Sequence, residues 1–158
     1  MKKKYFIYIL FILFAKQNYG QLQLSVYSEI SIVTAGPGAE LYEAVGHSAL
    51  RIKDPVLQLD LIYNYGMFDF NAPNFYSNFT KGKLIYKLGR YRFDYFLRSY
   101  NKDKRWVKEQ VLNLTRDEIQ AFFVYLERNA APNKASYFYD PYFNNCATKL
   151  RDITQNVL

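Results

Sequence analysis

The sequence predicts an α+β domain, a small antiparallel sheet packed with helices, and three observations predict it. Between Gln21 and Tyr65, apolar and polar residues alternate in short runs broken by Gly and Pro, the two-residue period of half-buried strands. Thr115-Arg116-Asp117-Glu118 has the form of a capping box, and Ile119, Phe122, Phe123 and Leu126 follow it at helical spacing. Near the C-terminus Cys146, Leu150 and Ile153 recur at helical intervals behind Asn144-Asn145, either of which is a good N-cap.

The chain opens on Met1-Lys2-Lys3-Lys4, a positive stretch, and continues into an apolar run from Tyr5 to Ala15, too short to span a bilayer and of the length of a signal-peptide core. Residues 1–20 are therefore expected to be a signal peptide, cut after Gly20, although Asn18 makes that site a poor match and a cut after Ala15 is the alternative. Loss of Lys2, Lys3, Lys4 and Lys16 lowers Lys plus Arg from 21 to 17 against 14 Asp plus Glu, and the net charge from +7 to +3. The apparent basicity is thus partly a property of the targeting segment. Residues 21–158 suffice for one domain with its own core, and they lack the dense Lys/Arg clustering that nucleic-acid binding requires.

Residues 21–34 read as an extended entry and a strand, ended by the turn Ala35-Gly36-Pro37-Gly38-Ala39. Glu40 to Val45 leads into a strand containing His47 that stops at Pro55, and Leu57 to Tyr65 is a second strand stopped at Gly66. Residues 63–82 place Tyr63, Tyr65, Phe68, Phe70, Phe75, Tyr76 and Phe79 among Asn, Asp, Gly and Pro, which reads as an irregular connection whose rings cap the core. The same rings, Tyr63, Tyr65 and Phe68 first, also suit an amphipathic rim for lipid or acyl chains. Lys83 to Leu88 is a short strand ended by Gly89, Tyr91 to Tyr100 a short amphipathic helix, and Trp106 to Leu114 a further strand. The capping-box helix ends near Asn129, before Pro132.

Function is legible in one pair of residues. The chain has one histidine, His47, on a strand, and one cysteine, Cys146, at the start of a helix. Unsatisfied N–H groups and the positive dipole end of a helix N-terminus bias a thiol toward thiolate, the nucleophilic form. The plainer reading is a packing cysteine and an ordinary strand histidine, since free cysteine is among the most buried residue types. A single cysteine forms no internal disulfide, so in an oxidising compartment it is either buried and inert or kept for its reactivity. With one His and one Cys, a metal site would have to borrow carboxylates, and no zinc-ligand spacing exists, so neither a metal nor any other cofactor is expected.

Several ordered blocks carry a resemblance: Gly46-His47-Ser48-Ala49-Leu50-Arg51-Ile52, the stretch from Ile62 to Tyr76, Gly82 to Gly89, Glu109 to Thr115, and Tyr139 to Asp152 around Asn144-Asn145-Cys146. Together they resemble the periplasmic N-terminal domain of Lnb-type bacterial lipoprotein N-acyltransferases over nearly all of residues 21–158. The resemblance implies a circularly permuted, NlpC/P60-like (papain-like) thiol fold, in which the histidine strand precedes the cysteine helix. It implies that Cys146 takes an acyl chain from a phospholipid as a thioester, with His47 accepting the thiol proton, and that the α-amine of a lipoprotein receives the chain. Backbone N–H groups at the start of the Cys146 helix, with Asn145 as cap and Ala147 in its first turn, would meet the developing oxyanion. The third residue, which orients His47, would come from the following strand; Asn64 is preferred over Asp60 and Asp69.

The implied partners are the phospholipid donor, the lipoprotein N-terminus and a membrane surface, and the implied location is the periplasm at the outer face of the inner membrane. Lnb-type enzymes continue into membrane-spanning helices, so a chain ending shortly after Cys146 is expected to be either a piece of a longer membrane protein or a stand-alone relative. Two other readings use the same fold. A cell-wall peptidase or amidase of NlpC/P60 type would give the acyl group to water, and a non-catalytic envelope binding module would not need the dyad.

Overall fold

The computed structural model describes residues 22–158; the expected signal peptide, residues 1–20, lies outside the described residues. The strands are β1 (Glu29–Ala35), β2 (His47–Asp54), β3 (Leu59–Met67), β4 (Leu84–Arg92), β5 (Val107–Val111) and β6 (Ser136–Tyr139). The helices are α1 (Phe75–Thr80), α2 (Phe93–Lys102), α3 (Arg116–Asn129) and α4 (Cys146–Val157), with one 3-10 turn at Leu41–Glu43. All neighbouring strands are antiparallel, in the order β5-β1-β2-β3-β4-β6, so the protein has the predicted α+β architecture on an open six-stranded sheet.

Alternation along the strands sorts the side chains onto two faces. Ile30, Leu50, Ile52, Leu61, Tyr63 and Leu88 face α3 and α4, which contribute Phe122, Leu126, Leu150 and Ile153 among others. Val33, Ala49 and Ile62 face the other way, onto Phe93 and Phe96 of α2. A third cluster joins Phe75 and Phe79 of α1 to Leu84, Tyr86 and Tyr139. The capping box at α3 forms as predicted, with Thr115 Oγ1 accepting from the Glu118 N–H.

The strands differ from the sequence expectation where glycine was read as a stop. β3 continues through Gly66 and β4 through Gly89, because Asn64 pairs with Gly89 and Met67 with Lys87, extending the ladder on both sides. Glycine inside a strand marks a place where another group approaches closely. Pairing of Tyr91 and Arg92 with Ile62 and Leu61 also delays α2 to Phe93. The fifth strand is shorter than Trp106–Leu114, since regular pairing with β1 covers Val107–Val111, with single backbone bonds at Trp106 and Leu112 closing its ends. Two elements carried no clear sequence signal: α1, hidden in the aromatic segment, and β6, a four-residue edge strand on β4.

The β2–β3 connection turns on Asp54, which is wholly buried. Its carboxylate accepts from the Ser25 N–H (2.6 Å) and hydroxyl (2.8 Å) and from the N–H groups of Val56 (3.0 Å) and Leu57 (3.1 Å). Burial pushes its pKa up, but these donors outweigh burial and hold it below the ordinary carboxylate value. The stabilisation is therefore present at neutral pH and lost as pH falls through the lowered folded-state pKa. Asp54→Ala, which orphans three backbone N–H groups, is expected to cost about 3 kcal/mol at pH 7, with a smaller difference in acid. Urea unfolding of both proteins across pH checks this, and a loss that stays the same in acid contradicts it.

Candidate active site

His47 is the first residue of β2, and the preceding Gly46 has φ of +76°, a left-handed conformation that favours glycine. A Cβ there would also lie 2.7 Å from the Ala35 carbonyl oxygen, so the approach to His47 is built for glycine alone. Continuing the β2–β3 register from Leu50 opposite Tyr63 sets His47 across from Gly66. The imidazole lies over that glycine: a Cβ on Gly66 would stand 2.5 Å from His47 Cε1 and 2.8 Å from Asn64 Oδ1.

Asn64 stands two residues before Gly66 on the same face of β3, and its Oδ1 is 2.6 Å from His47 Nε2. At the other end of the amide, Nδ2 donates to Tyr91 Oη (2.8 Å) and points at the Met67 sulfur. An amide oxygen only accepts, so Nε2 carries the proton and, in the neutral ring, Nδ1 is left bare as a base. Between Asn64 and Met67, β3 carries one residue more than β4 opposite, a bulge of the kind that re-aims side chains beside active sites. The other face of the imidazole is held by Tyr100 of α2, stacked at 6.5 Å and 9°, and by Phe96 at 6.4 Å.

Cys146 comes from the opposite layer, at the first position of α4. Asn145 is the N-cap, its Oδ1 accepting from the Thr148 N–H (3.0 Å) while Thr148 Oγ1 accepts from the Asn145 N–H (2.8 Å). The loop before it is braced by Asp140, which accepts from the N–H groups of Tyr142 and Phe143, and by Asn145 Nδ2 donating to the Pro141 carbonyl. Burial pushes the half-buried thiol up, but hydrogen bonding to His47, the positive charge of the imidazolium, and the N–H groups of Ser48 and Ala147 bring its pKa below the ordinary thiol value. The Asn145 side chain is spent as cap and brace. The N–H groups of Cys146 and Ala147, at N1 and N2, have no intrahelical acceptor, and that of Ala147 is directed at the thiol.

A cavity of about 330 Å³ opens over the pair, lined by His47, Asn64 and Cys146 and walled by Tyr42, Tyr65, Phe68, Tyr86, Tyr100 and Tyr139. Among the described residues no group of three or more His, Cys, Asp or Glu is arranged to hold a metal ion. No helix among them is long and apolar enough to cross a membrane.

The description of the family model that matches residues 15–157 is the Lnb N-terminal periplasmic domain. The chain belongs to that family. It is thus an Lnb-related protein of the bacterial envelope, and its domain is periplasmic. Comparison with curated proteins and with solved structures gives no match.

Within this Lnb domain, the structure brings Cys146, His47, Asn64, Asn145 and Ala147 together, and Tyr65 and Phe68 line the same cavity. Tyr63 does not: as a rim residue it is corrected by its full burial, with its hydroxyl donating to Glu127 Oε1 inside the core that faces α3. Asp60 is paired with Arg51 and Asp69 accepts from the Asn71 N–H, so of the three polar candidates Asn64 alone touches His47. Sequence reasoning missed Gly66, Tyr91, Tyr100, Arg105 and the Ser48 N–H. Only Gly66 had a readable signal, by setting the two predicted strands in register.

The lowered thiol pKa makes thiolate available at lower pH, so alkylation of Cys146 is expected to rise with pH through a midpoint below that of a free thiol. His47→Ala should move the midpoint up, because both the hydrogen bond and the imidazolium charge are lost; mass spectrometry of the alkylated protein reads it, and coincident profiles contradict it. Gly66→Ala should act in the same direction by driving the ring off Asn64, while destabilising the fold by only about 1–3 kcal/mol. An unchanged alkylation profile in the Gly66 variant would contradict the placement of His47 over this glycine.

Proposed function

We propose that the protein is a cysteine-dependent acyltransferase that moves an acyl chain from a phospholipid, through a thioester on Cys146, to the α-amine of a bacterial lipoprotein. The observation that carries this reading is the His47–Asn64 contact beside a thiol of lowered pKa at a helix N-terminus. Membership of the Lnb family supports the choice of acyl donor and acceptor, and the aromatic wall of the cavity suits an ester joined to an apolar chain.

In the first half-reaction Cys146 Sγ bonds to the ester carbonyl carbon while His47 Nδ1 takes the thiol proton. The negative oxygen is met by the Cys146 and Ala147 N–H groups. The ester C–O bond then breaks, His47 returns the proton to the leaving glycerol oxygen, and a lysophospholipid departs. In the second, the free amine attacks the thioester, the C–N bond forms, the C–S bond breaks, and the amine proton passes by way of His47 to the sulfur. Asn64 keeps the imidazole in one tautomer and one orientation through both. We place the reaction at the outer face of the inner membrane, where both lipid-bearing substrates are found.

Incubation with a short-chain phospholipid is expected to add one acyl mass to Cys146, removable by hydroxylamine and absent from Cys146→Ala. Addition of a diacylated lipopeptide with a free α-amine should then transfer that mass to the peptide. Release of free fatty acid alone would favour the hydrolase reading, and absence of any adduct would contradict the nucleophilic role of Cys146.

A further inference from the structure

Arg105 lies between α2 and β5, is only 9 % exposed, and lines the same cavity as Cys146. Its Nε donates to the Gly36 carbonyl (2.8 Å) and its Nη1 to Glu43 Oε1 (2.7 Å), while its guanidinium carbon sits 4.7 Å from the centre of the Tyr100 ring. Tyr100 in turn stacks on His47, so its ring adjoins both the guanidinium and the imidazole. Two of the three guanidinium nitrogens are thus committed. The third, Nη2, is buried and has no acceptor, the only such side-chain nitrogen or oxygen among the described residues.

A buried charged donor without a partner is costly, and folded proteins rarely leave one. Glu43 offsets the charge but does not reach Nη2; its Oε2 is turned toward the Glu40 N–H. Arginine presents its donors in a rigid planar fork that matches phosphate and carboxylate oxygens, and here two arms of the fork are fixed in advance.

We propose that Arg105 Nη2 holds a non-bridging oxygen of the phosphodiester of the acyl donor, and so selects a phospholipid over a neutral glyceride. The proposal rests on the acyl-transfer reading and names the group that recognises its donor. In a glycerophospholipid the acyl ester and the phosphate are separated only by part of the glycerol backbone. A phosphate on Arg105 and an ester carbonyl beside Cys146 therefore suit one cavity of this size. Glu43 has a defined part as well: it fixes the guanidinium, and its charge tempers the attraction so that the product can leave.

The test uses the full chain and lipids that cannot be cleaved: a dihexyl ether analogue of phosphatidylglycerol, dihexyl glycerol ether, inorganic phosphate, and acetate at matched ionic strength. The rate of Cys146 alkylation by iodoacetamide is followed by intact mass. The phosphodiester lipid is expected to protect Cys146 saturably at about tenfold lower concentration than the neutral ether, with inorganic phosphate protecting more weakly than the lipid. Arg105→Lys should abolish the difference between the two lipids. Glu43→Gln should widen it, and this opposite direction keeps the test decisive where Arg105→Lys folds poorly. Equal protection by the two ethers, or preference retained in Arg105→Lys, overturns the proposal. Protection by acetate equal to that by phosphate would point to a peptide carboxylate and overturn it too, as would phosphate protecting better than the lipid. Because these ethers carry no ester, loss of phosphate selectivity rejects the Arg105 assignment alone. Failure to form a thioester with an ester lipid rejects the acyl-transfer reading alone.

Discussion

The candidate site depends on a bare patch of backbone. His47 lies across Gly66 because no Cβ is there, and from that position its Nε2 reaches Asn64 Oδ1 at 2.6 Å. A methyl group on Gly66 would crowd both groups at once, so one glycine makes room for the imidazole and for the amide that sets its tautomer. The β3 bulge and the Asn64–Tyr91 hydrogen bond serve the same end from the other side, by fixing where the amide points.

Cys146 is delivered independently, from the layer on the other face of the sheet. The α4 helix is anchored by Leu150 and Ile153 in the core, and its capping box and the Asp140 brace fix the N-terminal turn. Cys146 and His47 meet because His47 is the first residue of its strand, at the end of the sheet, where the two layers come within reach. The thiol pKa is then a contest between burial, which raises it, and His47 with two backbone N–H groups, which together lower it further. That balance makes the thiol sensitive to any change that moves the imidazole, even one on a different strand. Arg105 extends the same wall, through Tyr100, from His47 to a guanidinium nitrogen, Nη2, that no group among the described residues satisfies.

Much of this arrangement is legible in the sequence, and for physical reasons. The period-2 runs, the Thr115–Glu118 capping box and the Cys146-Leu150-Ile153 spacing report local structure, which local chemistry determines. The pairing of a sole His with a sole Cys is legible because scarcity leaves no alternatives. What was misread depends on partners distant in the chain. Gly66 and Gly89 read as stops because glycine disfavours strands locally, yet strand pairing carries both through. Tyr63 reads as a rim residue by composition, yet its place in the alternation turns it into the core against α3, one residue from Asn64 and facing the other way. Tyr91, Tyr100 and Arg105 are ordinary residues by sequence. Only the crossing of α2 over the sheet end brings Tyr100 to His47, and the segment after α2 brings Arg105 back to Gly36 and Glu43.

The central claim is that the neutral imidazole holds its proton on Nε2, toward Asn64, and offers Nδ1 to the thiol. With one histidine in the sequence, a 15N-labelled sample has a single pair of ring nitrogens to resolve by NMR. In Cys146→Ser, at a pH where the ring is neutral, the Nε2–H tautomer with an unprotonated Nδ1 is expected, collapsing to a mixture when Asn64→Ala is added. An Nδ1–H tautomer, or a ring indifferent to Asn64, would contradict it.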